Sequence, residues 1–393
     1  MLWGQASTTI GDRLDQSRGF ARGFDAARLL FALLVVAFHS VWVAVPNTTL
    51  GLDRSTWFPA HTIVPGFFAL SGFLIAGSAW RLSLGNFIIN RGLRIFPALV
   101  IEVVASAFIL GLIFTALPRM EYLTHPQTWK YLTNLVGWFN YSLPGVFLDH
   151  PSAGMVNMSL WTIPWEVLCY GLICVLIATG LIRRRMSGAL LTGLFVAAGV
   201  LCQAFNLDEL QGVAGDMVRA VFFGPGPTLI TFFLASITAY QWRHSIPFHP
   251  ALFAAAVLAC GLAAALTPLG WTKTPMMAVV TCLPIVYIVV FIGVTDMPKL
   301  PFFSRGDYSY GIYLYGYPIQ QAVKALFPGI TDPVLLTAVA LPPIILFAAF
   351  SWHWVEKPVL RFRQRFSFIA STRLGPDEHT AISPTPAAQR SAV

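Results

Sequence analysis

Residues 24–45 read FDAARLLFALLVVAFHSVWVAV. An apolar run of this length is what a membrane-spanning helix of ~20 residues needs. It is too long and wrongly flanked for the short apolar region of a signal peptide, because the preceding segment is polar and carries Asp12, Arg13, Asp15, Arg18 and Arg22. The reading is a retained first transmembrane helix. Composition extends that reading to the whole chain. Of 393 residues 56% are hydrophobic and only 11% charged, against about 25% charged in soluble proteins; with a mean hydropathy of +0.68, a soluble globular enzyme is excluded.

Working outward, apolar stretches recur at 62–80, 95–117, 160–182, 189–205, 218–240, 250–267, 276–294, 308–327 and 334–355. The expected fold is an all-α integral membrane protein with about ten transmembrane helices around a central pore or cavity. An even count puts both termini on one side. With a cytoplasmic N-terminus, eighteen of the 25 Lys and Arg fall inside, and only Arg54, Arg119, Lys130 and Lys273 fall outside; Arg28, Arg219 and Lys324 lie within spans. The positive-inside rule favours that orientation. It also accounts for the net charge of +8 without a nucleic-acid partner; membrane lipids are the expected surroundings. The expected division is a cytoplasmic segment 1–22, a membrane domain 23–367 and a disordered tail 368–393, whose composition is poor in large apolar residues. Residues 118–159 form one long outside loop whose Trp129, Tyr131, Trp138 and Tyr141 suit either a membrane-interface belt or a sugar-stacking surface. Gly224–Pro227 must kink or break the sixth span, since proline removes backbone hydrogen bonds. The five cysteines, Cys169, Cys174, Cys202, Cys260 and Cys282, sit in apolar runs without metal-ligand spacing, so no metal is expected.

Ionisable residues inside spans are costly and point to function. Those singled out here are Arg28, His39, Glu102, Glu166 and Arg219. Arg28 and His39 are eleven residues apart, about three helical turns, which puts them on one face with a rise of ~16 Å between them. His39 is then either a structural histidine between helices or a base set deep in the outer half. Glu166 lies at a similar depth. It could pair with His39, fixing the imidazole tautomer, or with Arg219. Arg91 and Arg94, one turn apart, either anchor the helix at the membrane face or grip phosphates bidentately. Asp25 and Glu102 are expected to neutralise these arginines.

Several segments together resemble the membrane acyltransferase-3 family, bacterial integral-membrane enzymes that O-acylate sugars of surface polysaccharides, other glycans and some secondary metabolites. They are RGFDAARLLFALLVVAFHS (22–40), FFALSGFLI (67–75), INRGLRIFPAL (89–99), SLWTIPWEVLCYG (159–171), YSYGIYLYGYPI (308–319) and WHWVEKP (352–358). Their order and spacing, more than any one of them, carry the resemblance, which runs through nearly the whole chain.

The resemblance implies the following roles. His39 matches the family's essential histidine and Arg28 its arginine at the donor mouth. Arg91 and Arg94 match the basic pair near the donor phosphates, and Ser71 and Gly72 the small-residue element around the pore. Glu166 falls at the acidic position of the tryptophan motif, and Tyr313 at the tyrosine of the ninth span. Many members carry a histidine where this chain reads YLYGYP, with Tyr315 and Tyr317. The extra soluble domain with a serine nucleophile found in longer members is not expected here. The implied activity is transfer of an acyl group, most simply acetyl, from cytoplasmic acyl-CoA to a hydroxyl of an exported or surface carbohydrate or glycolipid, at the bacterial inner membrane. His39, oriented by Glu166, would be the general base or an acyl-accepting nucleophile, with Tyr313 donating to the oxyanion. A transporter or flippase of an envelope glycan precursor, and an assembly subunit, are the rival readings; the first lacks an inverted repeat in the sequence.

Overall fold

The computed structural model describes residues 8–17, 21–46, 54–266, 275–298 and 306–366; the tail expected to be disordered lies outside them. Among the described residues there is no strand, only three isolated bridges. Backbone polar groups find no partner in hydrocarbon, so apolar runs of this length close their hydrogen bonds within helices. In chain order these are α1 (Ile10–Gln16), α2 (Gly23–Ala44), α3 (Arg54–Arg81) and α4 (Leu84–Phe114). Two short helices of the long loop follow, α5 (Arg119–Thr124) and α6 (Pro126–Tyr131). Then come α7 (Met158–Ala178), α8 (Ser187–Ala204), α9 (Gly212–Phe223), α10 (Gly226–Gln241) and α11 (Pro250–Leu266). The last three are α12 (Pro275–Val294), α13 (Ser309–Leu326) and α14 (Pro333–Arg361).

The chain is an all-α membrane protein. Six helices, α2, α3 from Phe58, α4, α7, α8 and α14, are long and apolar enough to cross a membrane, and α9 with α10 makes a seventh if the bent pair is one span. The other three expected spans are helical as well: α11 has 17 residues, α12 is apolar through Pro275–Val294, and α13 carries Gln320, Gln321 and Lys324. Length and composition therefore certify fewer spans than the ten expected. The break expected at Gly224–Pro227 is present as a 60° bend, with Pro225 capping α10 and Pro227 in its first turn, where a missing N–H costs nothing. α4 starts at Leu84 rather than 95, because the Ser83 side chain accepts from Asn86 N. Arg91 and Arg94 thus lie inside the helix.

One helix sets the packing. Every residue of α10 except Thr228 and Thr238 is buried, and a helix buried on all sides belongs at the centre of a bundle. α3 lies along it, and the approach is close enough that a Cβ on Gly72 would run into the Phe233 carbonyl. The second apolar cluster joins α2, α13 and α14 through Val36, Val43, Ile312, Tyr317, Leu336 and Ile344. The segment 1–22, read as simply polar, contains α1, whose Ile10 and Leu14 are buried. Backbone bonds from Ile10 N to Ile246 O and Gly11 N to Arg243 O, both 2.9 Å, dock it where α10 ends. That end of the bundle, where α2 begins, is called the basic end below; the opposite one is the loop end.

The long loop is knitted by its own polar groups. Asn134 Nδ2 donates to the Tyr131 carbonyl (2.7 Å) and accepts through Oδ1 from Asn140 N (2.8 Å). Its aromatics do not form one surface: Trp129 and Trp138 are exposed, but Tyr131 is fully buried. Tyr131 Oη (3.5 Å), Ser106 Oγ (2.8 Å) and Asn157 Nδ2 (2.8 Å) all donate to Glu102 Oε1. Glu102 is thus held by neutral donors and does not neutralise an arginine as expected.

Replacing Gly72 with alanine should lower the thermal stability of the detergent-solubilised protein by the ~1–3 kcal/mol typical of overpacking. Gly171→Ala, where no atom lies within 4 Å, should be neutral or stabilising by up to ~1 kcal/mol. Equal melting temperatures for the two variants would show that α3 and α10 do not pack this closely.

Candidate active site

Between α2, α3, α4, α7 and α13 lies a cavity of about 510 Å³. At the basic end it is lined by Arg28, Asn90, Arg91, Arg94 and Asp307; deeper in it reaches Val64, Phe67, Thr162 and Tyr313. Six residues singled out from the sequence, Arg28, Ser71, Arg91, Arg94, Glu166 and Tyr313, line it together. Gly72 does not; it faces α10. His39 also lies outside the lining.

Charge in the cavity is organised around Asp307. Its Oδ2 accepts from Arg28 Nη1 and from Arg94 Nη2, both at 2.7 Å, and Ser309 Oγ donates to its Oδ1 at 2.6 Å. Arg94 Nη1 also pairs with Glu356 Oε2 at 3.1 Å, while Ser351 Oγ donates to Glu356 Oε1 at 3.2 Å. Asp25 pairs with Arg28 at 3.4 Å, not with Arg91 or Arg94. Arg94 is further enclosed by the Tyr310 and Trp352 rings, at 5.4 and 5.7 Å. Arg91 differs. Its guanidinium lies against the Phe87 and Tyr170 rings (5.7 and 5.9 Å), its Nε is buried without a partner, and among the described residues no carboxylate is within ion-pair distance of it.

Asp307 and Glu356 were missed in the sequence, although Asp307 immediately precedes the YSYG segment and Glu356 sits in WHWVEKP. The available signal was charge balance: three arginines converging on one apolar site need nearby carboxylates.

Equal depth did not bring Glu166 and His39 together. Tyr170 Oη donates to Glu166 Oε1 one turn along the same helix, and no hydrogen bond joins Glu166 to the histidine. Nor does Glu166 meet Arg219, whose guanidinium donates to the carbonyls of Asp208 (2.6 Å) and Leu210 (2.8 Å). Depth along the bundle axis says nothing about rotation around it, and α7 turns Glu166 toward α4. His39 is 8% exposed, with Nδ1 buried and unpartnered; its ring stands edge-on to Tyr317, centroids 5.1 Å apart. Tyr313, one turn before Tyr317, shares a 2.7 Å hydrogen bond with Thr162 Oγ1 and donates to the Ser159 carbonyl. The other two tyrosines of YLYGYP separate. Tyr315 is satisfied by Ser351 (2.7 Å) and the Ala98 carbonyl (3.2 Å), and Tyr317 stands against His39.

Burial alone would raise the Asp307 carboxyl, but Arg94 and Arg28, with Ser309, hold it well below the usual carboxylate range. A depressed folded value means that its stabilisation is fully present above the unfolded value, near 3.8, and is lost only as pH falls through the folded one. The contribution should therefore stay constant from about pH 5 to pH 9. Asp307→Asn should cost roughly 3 kcal/mol throughout that window by leaving two guanidiniums short of a countercharge; thermal unfolding against pH checks both the size and the flatness.

Comparison with known proteins gives the cavity a context. The profile of a family described as acyltransferase domain matches residues 22–353. An O-acetyl transferase of Shigella phage Sf6 is 27% identical over 340 residues, covering 86% of this chain and 95% of that protein. Nodulation protein 10 of Rhizobium leguminosarum bv. viciae is 26% identical over 383 residues, covering 90% of this chain and 97% of that one. No solved structure matches. A match over most of the sequence, together with the helical membrane fold, places the chain in the membrane acyltransferase-3 family.

Proposed function

We propose that the protein transfers an acetyl group from acetyl-CoA, bound from the cytoplasm, to a hydroxyl of an exported or surface carbohydrate. The observation that carries this reading is the course of the cavity. It runs from an unpaired arginine at the basic end to Tyr313, one helical turn from the tyrosine on which His39 packs. The excess of Lys and Arg on one set of loops supports a cytoplasmic basic end, with both termini there, in a bacterial inner membrane. The phage O-acetyl transferase supports acetyl as the group moved.

In this reading the donor's phosphates meet Arg91 first. Arg28 and Arg94 are already neutralised by Asp307 and Glu356, so an anion gains less from them; their part is to hold the mouth open and basic. The pantetheine arm lies along α3 past Ser71 toward Phe67 and Tyr313. The rise from Arg28 to His39, ~16 Å, is the distance that such an arm must span. A neutral His39 takes the proton of the attacking hydroxyl as the thioester carbonyl is attacked and the carbon–sulfur bond breaks, and the thiolate leaves with a proton. In the relay variant the imidazole itself is acylated first and the hydroxyl then takes the acyl group from it. Tyr313 is assigned to the oxyanion. Glu166 is assigned to the wall of the donor cavity beside Tyr170, not to orienting the histidine.

A transporter is disfavoured by the single bent pair among the described helices, since transporter sites are built from broken helices in corresponding halves. The test is transfer of radiolabelled acetyl from acetyl-CoA to glycans in membranes holding matched amounts of wild-type or variant protein. His39→Ala should reduce label by the ~10²–10⁴-fold typical of a lost acid–base group. Arg91→Ala should raise the KM for acetyl-CoA about tenfold or more, as loss of a charge-assisted bond of ~1.5–3 kcal/mol requires, with kcat little changed. Equal label from wild type and His39→Ala, above a deletion control, would refute the catalytic assignment.

A further inference from the structure

The arginines at 183–185 take no part in the cavity described above, and one of them, Arg185, stacks on a wall of a second one. A crevice of about 490 Å³ opens between α8, α10 and α12, walled by Ala189, Gly193, Ala239, Trp242, Val286 and Tyr287. Its surface is almost wholly apolar, and its volume lies within the ~300–1,000 Å³ of small-molecule sites.

The end of the crevice at Trp242 is built by specific contacts. The Arg185 guanidinium lies 3.9 Å over the Trp242 ring, Trp242 Nε1 donates to the Arg185 carbonyl at 3.0 Å, and Arg185 donates to Ser245 Oγ. Gln241 fastens the two helices behind them. Its Nε2 donates to the Ile182 carbonyl (3.1 Å) and Ser187 Oγ (2.9 Å), and its Oε1 accepts from Gly188 N (3.0 Å). Arg243 lies 4.4 Å over the Tyr240 ring, which packs against Phe73 and Trp80 of α3, so it stands apart from the crevice. Among the described residues no carboxylate is within ion-pair distance of Arg183, Arg184, Arg185 or Arg243. The acids nearest this end are on α1, where Asp15 lies 3.9 Å from His244.

We propose that the crevice binds one anionic phospholipid. Its acyl chain lies between α8, α10 and α12, and its phosphate sits against Arg185 at the basic end. The argument is charge complementarity at the end of an apolar groove: basic pockets between spanning helices hold acidic headgroups, and here the Arg185 guanidinium is fixed on Trp242 without a protein counterion. A zwitterionic lipid fills the groove equally well but brings no net charge to that guanidinium.

The experiment is native mass spectrometry of the full chain in mild detergent, titrated with dioleoyl phosphatidylglycerol or dioleoyl phosphatidylcholine. The wild type should retain one phosphatidylglycerol at least tenfold more tightly than phosphatidylcholine. Arg185→Gln should erase that preference. Gly193→Leu adds a side chain where nothing lies within 4 Å, so the fold is undisturbed while the groove is filled; it should weaken retention of both lipids at least tenfold. Equal retention of the two lipids by the wild type, an unaffected Gly193→Leu, or displacement of phosphatidylglycerol by millimolar inorganic phosphate would each overturn the proposal. Melting curves of the variants keep a folding failure separate from lost binding.

Discussion

One carboxylate shared by two guanidiniums orders the basic end of this molecule. Arg28 comes from α2, Arg94 from α4, and Asp307 stands two residues ahead of α13. None of the three could sit in an apolar bundle alone, since an unpaired ion at depth costs several kcal/mol. Together they tie three helices to one point, and Glu356 adds α14 through the second edge of the Arg94 guanidinium. The planar fork of arginine makes this possible, because it can present separate N–H groups to two acids at once. The same arrangement decides which cation is left without an ion pair among the described residues, and that cation, Arg91, is held against aromatic faces.

The helical membrane fold was legible because hydrocarbon leaves an apolar run of this length almost no alternative to a helix. The break in the sixth span was legible for a related reason, that proline removes backbone hydrogen bonds wherever it stands. What escaped were features made by tertiary contact. α1 is a polar segment with two buried residues, and its docking on the 243–248 turn leaves no periodic signal in seven residues. Tyr131 looked like a surface aromatic beside Trp129 and Trp138, but it is drawn inward by Glu102. Among the candidate site residues, those on α2, α3, α4, α7 and α13 that line the cavity were all visible as out-of-place charge, small residue or tyrosine. The pairing of Glu166 with His39 was not a sound inference, because depth fixes one coordinate of a side chain and the rotation of its helix fixes another.

The polar groups of the two ends differ in kind. At the basic end they are ions whose charges cancel within the protein. On α13 toward the loop end they are amides and hydroxyls, with Gln320 donating to the Val36 carbonyl (2.7 Å) and Gln321 to Ser152 Oγ (2.9 Å). Neutral groups of this sort leave lone pairs unused when the fit is incomplete. His39 Nδ1, Tyr317 Oη and Gln320 Oε1, all on the facing surfaces of α2 and α13, are buried without partners. Since each such group forgoes ~1–3 kcal/mol of hydrogen bonding, this interface is less fully satisfied than the ion-paired basic end.

The Asn157 amide binds in two directions, to Glu102 Oε1 on α4 and to the Leu314 carbonyl on α13 at 2.9 Å. That carbonyl belongs to the stretch between Tyr313 and Tyr317. The long loop is therefore not draped over the bundle; it is riveted to the middle of the helix that carries both tyrosines. A molecule pressing on the loop from outside pulls on that rivet, and the strain arrives at the tyrosines without passing through any flexible joint.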